Sequence, residues 1–287
     1  MGKADRPFVD LHVHTWYSDS SLSPRQVVEE AIRSRVGVFA VADHEGFEGS
    51  VQAGRLAKDA GLLCIPAAEL ECTWEGVQLH ILSYGADPSD PRLMGLAARN
   101  REILDGMSDT LIERMIPEHP KLSLEGFRAF SHDRSLGGWK GLHYLHSMGV
   151  TRTPKEGAHL YARYDVLYEN AGFPGLSTLL DAIHGAGGKA VLAHPGYTLK
   201  ALDEDEMEHR VRELIDWGLD GLECYYPLHD AKMTRSFRSL CLEKDLLITA
   251  GSDCHGSFGR TRVGEMDITL DQIRLEGLPN WPSGKGG

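Results

Sequence analysis

Short apolar runs alternate with amphipathic stretches along most of this chain. Phe8–Val13, Gly37–Ala42, Leu62–Ala67, Val77–Tyr84, Lys189–Ala193, Asp220–Cys224 and Leu246–Ala250 read as strands. Pro24–Arg35, Val51–Ala60, Leu176–Gly185, Glu206–Trp217 and Asp230–Lys244 read as helices. The first helix carries the clearest signals. Ser23 is its N-cap, Pro24 takes the first helical position, and Val27, Val28, Ala31 and Ile32 share one face. The second stops at Gly61. Such alternation predicts an α/β fold of parallel strands joined by crossover helices. The rhythm breaks between Arg92 and Pro174. A helical pattern runs to Ile116, then the chain turns polar and irregular around Gly137-Gly138-Trp139-Lys140-Gly141. The expected organisation is a discontinuous frame, 7–91 with 175–272, a mostly helical insertion or cap over 92–174, and a Gly- and Pro-rich mobile tail over 276–287.

The 287 residues suffice for one large α/β domain, or a barrel carrying an insertion, with a full core. A formal charge of −12 and a pI near 5.6 argue against broad binding to long nucleic acid, which needs clustered Lys and Arg. A local basic pocket remains compatible with that balance, and bound divalent cations would reverse the local sign. The five cysteines are scattered and form no C-x-x-C pair, which predicts reduced thiols in a cytoplasmic protein. Residues 1–6 lack the apolar core of a signal peptide, and Gly2 has no Ser or Thr at position 6 for myristoylation. No apolar run reaches membrane-spanning length, so no membrane partner is expected.

The candidate chemistry begins with His12 and His14. Residues two apart on a strand point to one face, and neutral imidazole is the commonest metal ligand. Asp43-His44, Glu69, His80, Ala193-His194-Pro195 and Gly251-Ser252-Asp253-Cys254-His255 extend the pattern. All but His80 fall at or just past the C-terminal end of a predicted strand, the end that forms the active-site mouth of parallel α/β barrels. Each has a bland reading alone: His80 as a core histidine, Asp43-His44 as a turn with a helix cap, Ala-His-Pro as a strand end. Their coincidence at strand ends points instead to a metal site. Cys254 should turn away from it, because its neighbours on both sides turn in. Mixed imidazole and carboxylate donors suit Mn²⁺, Fe²⁺ or Zn²⁺.

Asp10-Leu11-His12-Val13-His14-Thr15 with Ser18-Asp19, then Asp43-His44, Glu69, His80, Ala193-His194-Pro195 and Gly251-Ser252-Asp253-Cys254-His255, resembles in order the pattern of the PHP (polymerase and histidinol phosphatase) family. The resemblance implies a distorted (β/α)7 barrel holding two to three divalent ions, Mn²⁺ foremost, in a trinuclear centre. It assigns His12, His14, Glu69 and Asp253 to one ion. Glu69 bridges to a second, completed by His80 and His194. Asp19, His44 and His255 take the third. Asp43 would orient a ligand from behind, and Glu71 would be a bystander.

Clustered divalent metals generate hydroxide near neutral pH and neutralise charge on phosphoryl oxygens, so no protein nucleophile is required. None is evident, since no G-x-S-x-G occurs. Glu69, Asp253 and His255 are the expected catalytic residues, and His255 is one candidate to assist the leaving alkoxide. Many small-phosphatase relatives carry Arg-Pro-His in the insertion, where this chain has Gly138-Trp139-Lys140. Lys140, Arg134, Arg163 and Arg260 are therefore the expected substrate contacts, with Arg152 and Arg262 behind them and Trp139 packing on the substrate. The expected function is an enzyme, a metal-dependent phosphoesterase acting on small esters: nucleotides, nucleoside bisphosphates, cyclic phosphates or sugar phosphates. A 5′–3′ exonuclease on short oligonucleotides shares the chemistry but is disfavoured by the acidic balance. An amidohydrolase-type C–N hydrolase also begins with H-x-H, but Asp19 and the Asp253-x-His255 pair argue against it. A non-catalytic metal-binding module would be expected to lose ligands, and this chain keeps all of them.

Overall fold

A computed structural model describes residues 7–279 and 281. Seven strands, β1 (Phe8–Val13), β2 (Val36–Val41), β3 (Leu63–Trp74), β4 (Val77–Tyr84), β5 (Lys189–Leu192), β6 (Gly221–Tyr225) and β7 (Leu247–Ala250), lie side by side in sequence order. The sheet is mostly parallel, but β4 runs antiparallel to both neighbours. The expectation of parallel strands fails here because β3 is twice as long as the apolar run Leu62–Ala67 suggests. It continues to Trp74 and turns at Glu75 (φ 47°) and Gly76 (φ 79°). Two residues at positive φ make the tight hairpin turn that matches strand twist, and no crossover helix fits in two residues.

Around the sheet pack α1 (Pro24–Arg33), α2 (Glu48–Asp59), α3 (Pro91–Met115), α4 (Leu124–Ala129), α5 (Lys140–Ser147), α6 (Ala158–Arg163), α7 (Leu176–Gly185), α8 (Pro195–Thr198), α9 (Glu204–Asp216) and α10 (Ala231–Glu243). Ser23 and Gln26 close a capping box at the start of α1, with Pro24 at its first position. Val9, Leu11, Val38, Ala40, Ala67, Leu82, Val191 and Leu247 form one inner apolar cluster. The outer face is covered by α1 and α2 at one end and by α7, α9 and α10 at the other. The two ends of the sheet order meet: Asp253 N donates to His12 O (2.8 Å) and His14 N to Cys254 O (3.0 Å).

One irregularity in β1 is decisive for the site. Asp10 pairs with Phe39 and Val13 with Val41, so β1 carries one extra residue between them. Val9 and Leu11 belong to the inner cluster, whereas Val13 belongs to the outer one. A bulge of this kind reverses side-chain parity, and it turns His12 and His14 toward β3 and β6.

The segment between β4 and α7 is helical with a core of its own. Its 25-residue helix α3 serves two clusters. Leu93 and Ala97 join the core under the sheet, while Leu104, Leu111, Ile112 and Met115 pack with Phe127, Tyr144, Leu145 and Leu160. Burying each large side chain of this kind contributes about 1.5–3 kcal/mol. This segment docks on the β1–α1 loop through Gly137-Gly138. Gly138 N donates to Asp19 O (2.6 Å), and a Cβ on Gly137 would stand 2.9 Å from Ser21 N. Within the stretch expected to be a mobile tail, Leu278 and Trp281 pack against the inner cluster, and residues 280 and 282–287 lie outside the described residues. No described helix is long and apolar enough to cross a membrane.

Candidate metal centre

Nine side chains expected at the site come together at one end of the sheet. Glu69 stands at the middle. Its Oε2 lies 3.2 Å from His12 Nε2, 3.3 Å from His14 Nε2 and 3.4 Å from His44 Nδ1. Its Oε1 lies 2.9 Å from His80 Nδ1 and 3.1 Å from His194 Nε2. One carboxylate therefore faces two sets of imidazoles with different oxygens. Asp253 Oδ1 adds to the first set, 3.1 Å from His14 Nε2 and 3.6 Å from His12 Nε2. His255 Nε2 lies 3.1 Å from Asp19 Oδ1, and His255 stacks on His14 with ring centroids 4.1 Å apart. Three groups have donor atoms mutually close enough to share an ion: His14, Asp19, His44 and His255; His12, His14 and Asp253; His44, Glu69 and His80.

The hydrogen bonding fits cations better than it fits a closed polar network. His12 Nε2 and His14 Nε2 face each other at 3.0 Å. His12 Nδ1 is meanwhile 3.0 Å from Glu223 Oε1, which places the proton on Nδ1 of the neutral ring and leaves Nε2 as a lone pair. His44 Nδ1 is buried without a hydrogen bond among the described residues. Buried polar atoms are rarely left so, and a shared cation satisfies several at once.

Apart from Asp43, sequence reasoning missed the groups behind these donors. Glu223, wholly buried on β6, holds His12 through Oε1 and accepts from His194 N through Oε2 (2.8 Å). A carboxylate behind a histidine fixes its tautomer and raises its basicity. The signal was a charged residue inside the otherwise apolar strand GLECY. Tyr226 donates its hydroxyl to Asp253 Oδ2 (3.0 Å). Asp10, buried on β1, ties down the final loop by accepting from Ser252 N, Ser252 Oγ and Gly264 N at 2.7–2.9 Å. Asp43 accepts from Thr15 N, Thr15 Oγ1 and Ser18 Oγ at 2.6–2.7 Å, so it braces the β1–α1 loop. His194 (φ 33°) and Asp253 (φ 52°) both sit in the left-handed region that non-glycine residues avoid, a strain that tight surroundings impose. Cys254 does turn away: it is buried with Val13 and Val41, its thiol toward Thr261 O.

The profile of the PHP domain family matches residues 10–220. The chain belongs to the PHP domain family. A 5′–3′ exoribonuclease of Haemophilus influenzae is 28% identical over 289 residues, covering 95% of this chain and 97% of the relative. A 3′,5′-nucleoside bisphosphate phosphatase of Chromobacterium violaceum is 26% identical, covering 88% and 89%. The solved structure of a protein from Bifidobacterium adolescentis, described as a metal-dependent phosphoesterase, superposes with a TM-score of 0.75 at 26% identity and covers 93% of each chain.

Electrostatics in this PHP domain set carboxylates against imidazoles. Burial alone would raise Glu69 and Asp253, but the surrounding histidines, His12 foremost, hold both well below their usual range. Burial likewise pulls His80 and His255 down, yet Glu69 lifts the first to about 9 and Asp19 the second to about 10. His44 goes the other way, down to about 3, because burial outweighs Glu69 and Asp19. Glu71 differs from Glu69: burial pushes it up to about 7, and its Oε1 stays 3.9 Å from both His44 and His80.

The expected basic contacts do not converge in the same way. Lys140, at the start of α5, donates to Arg128 O (3.0 Å) and lies over the Phe127 ring. Its ammonium is engaged within the packing of this helical segment. Arg163 lies over Tyr164, and Arg134, Arg152, Arg163, Arg260 and Arg262 are all exposed. Trp139, by contrast, stands with its ring centroid 5.8 Å from that of His44.

Proposed function

We propose that this PHP domain is a metal-dependent phosphoesterase, a hydrolase acting on small phosphate esters such as nucleotides, nucleoside bisphosphates, cyclic phosphates or sugar phosphates. The observation that carries the reading is Glu69, whose two oxygens face His12, His14 and His44 on one side and His80 and His194 on the other. We assign His12, His14, Glu69 and Asp253 to one ion, Glu69, His80 and His194 to a second, and Asp19, His44 and His255 to a third. Mn²⁺ is the proposed metal, with Fe²⁺ or Zn²⁺ compatible with the same donors. Such ions supply charge neutralisation of the phosphoryl group and an acidified water. The frame for the centre is a distorted (β/α)7 barrel, a reading supported by the bonds between β1 and the loop after β7. A cytoplasmic setting is supported by five cysteines that all remain thiols.

The chain's own residues have separable tasks in this mechanism. Glu223 holds the His12 proton on Nδ1 and so keeps Nε2 available as a donor. Tyr226 orients Asp253, and Asp43 fixes the loop that presents Asp19. His255, with Nε2 facing Asp19 Oδ1 and Nδ1 facing Asp253 O, serves in this reading as a donor to the third ion, and the proton for the departing alkoxide comes from solvent water.

A second reading, a 5′–3′ exonuclease on short oligonucleotides, is favoured by the Haemophilus relative, whose match covers nearly the whole of both chains. Phosphate release by the Mn²⁺-loaded chain, assayed across monophosphates, bisphosphates, cyclic and sugar phosphates and 5′-phosphorylated oligonucleotides, tests both. Release from small esters is expected. Turnover of oligonucleotides alone would move the assignment to the exonuclease, and silence across the panel would end the phosphoester reading.

A further inference from the structure

The cation that does reach the centre is one the sequence pattern concealed. Arg101 sits on α3, among residues that read as the helical start of the insertion. Its Nη2 donates to His44 O (2.6 Å) and to Tyr17 O (3.3 Å). Its guanidinium carbon lies 5.4 Å from the centroid of Trp139, which itself stands beside the His44 ring. The guanidinium is thus anchored one hydrogen bond from the main chain of a residue whose ring belongs to the centre.

Its hydrogen bonding is incomplete. A guanidinium has five donors, and both bonds to carbonyls use Nη2. The protons on Nε and Nη1 have no partner among the described residues, and Arg101 forms no salt bridge there. Glu45 and Asp105 feel its charge only at longer range. The chain carries 42 acidic residues against 30 basic ones, so a partly buried arginine without a carboxylate partner is conspicuous. Arginine's planar fork matches phosphate oxygens, and stacking on an aromatic face holds it preorganised. The other basic candidates are captured by the cap or exposed, as described above.

We infer that Arg101 and Trp139 form a second-anion subsite: Arg101 binds a phosphate adjacent to the one cleaved at the metal centre. This rests on the phosphoesterase reading and narrows it to substrates with a second phosphate, either a nucleoside bisphosphate or the next phosphate of a short oligonucleotide.

The test compares three substrates on the Mn²⁺-loaded full chain: adenosine 5′-monophosphate, adenosine 3′,5′-bisphosphate and a 5′-phosphorylated triadenylate. Wild type is expected to favour at least one of the latter two by tenfold or more in kcat/KM, and the favoured one identifies the source of the second phosphate. Arg101→Met should collapse that preference to within threefold, mainly through KM. Arg101→Lys, which keeps a cation but not the fork, should retain part of it. Titration of the metal-free chain with the bisphosphate and the monophosphate repeats the comparison without turnover, and Arg101→Met should erase the difference in affinity. Equal losses for all three substrates would mean that Arg101 only buttresses His44, and the subsite would be abandoned. A preference unchanged in Arg101→Met would end it too. No turnover of any substrate by wild type would overturn the phosphoesterase reading, and the subsite with it.

Discussion

The candidate metal centre and the helical segment between β4 and α7 are built on opposite principles. The centre draws His12, Glu69 and His80 from β1, β3 and β4, and its other donors from the loops after β1, β2, β5 and β7, close to the strand ends. Its geometry is set by strand register, so a donor's position in the sequence nearly dictates its position in space. The cap between β4 and α7 holds together by side-chain packing of short helices, and touches the centre through Arg101, Trp139 and the Gly137-Gly138 turn. Nothing in local spacing dictates which of its cations turns inward. The comparison teaches that a sheet scaffold makes chemistry readable, and a packed helical segment conceals specificity.

The strongest way to break that comparison is at Glu69. Glu69→Gln keeps the shape and removes the charge shared by five imidazoles. We expect turnover to fall about a thousandfold or more and metal content, read by elemental analysis, to drop with it. A variant that kept both would show that the converging donors are not the working centre.

How much was legible follows from the same physics. His12, His14, His44, His194, Asp253 and His255 were readable because each ends or follows an apolar run, a pattern that needs no tertiary knowledge. The bulge in β1 was invisible, although His12 and His14 depend on it, because register shifts arise from pairing with β2. The antiparallel course of β4 was readable only from Glu75-Gly76, a two-residue turn signal overlooked between two apolar runs. Glu223 was hidden by its ordinary surroundings, and the bond from Lys140 to Arg128 O was not legible because charge alone does not say where a flexible ammonium finds its partner.

Glu223 provides the next largest effect. Glu223→Ala leaves the His12 tautomer unheld and His194 N without its acceptor. Partners behind metal ligands are typically worth about 10–100-fold in metal affinity or activity, and the same range is expected here. Loss of the buried acceptor should also cost about 1–3 kcal/mol in denaturant unfolding. Stability falling with metal affinity intact would assign Glu223 to the core rather than to the centre.

The centre's titration sharpens the comparison without mutation. In the metal-free chain His80 and His255 stay protonated up to about 9 and about 10, and metal binding requires their neutral forms. Apparent Mn²⁺ affinity should therefore rise between pH 6 and 9, with protons released on binding, measurable by calorimetry in buffers of different ionisation enthalpy. The metal-free fold should respond oppositely. Imidazoles raised from 6.5 contribute stability that is full below 6.5 and is lost as pH climbs through about 9 to 10. Metal affinity flat over that range would mean that the histidines do not compete with protons for the ion.

At the seam between the two regions, Gly137→Ala should matter moderately. Gly137 has φ 67°, and an added Cβ would meet Phe258 at 2.6 Å and Asp19 O at 3.0 Å. The expected cost is about 1–3 kcal/mol, with faster hydrogen exchange in the Asp19 loop and little change in the sheet. Protection lost across β1 and β7 instead would show that the cap stabilises the whole frame.

The smallest effect belongs to Lys140, the residue on which sequence reasoning placed most weight for substrate. Lys140→Ala removes a hydrogen bond to Arg128 O and a contact over Phe127. Both are interactions within the cap, each worth about 0.5–1.5 kcal/mol, and both are partly offset by freeing the side chain. Thermal stability should drop slightly, while kcat/KM for phosphate esters stays within about twofold, a free-energy change below about 0.5 kcal/mol. A tenfold rise in KM confined to one class of ester would reverse this reading. It would require the ammonium to leave Arg128 and swing to the centre when substrate arrives, making the cap's cations mobile recruits to the site rather than parts of its packing.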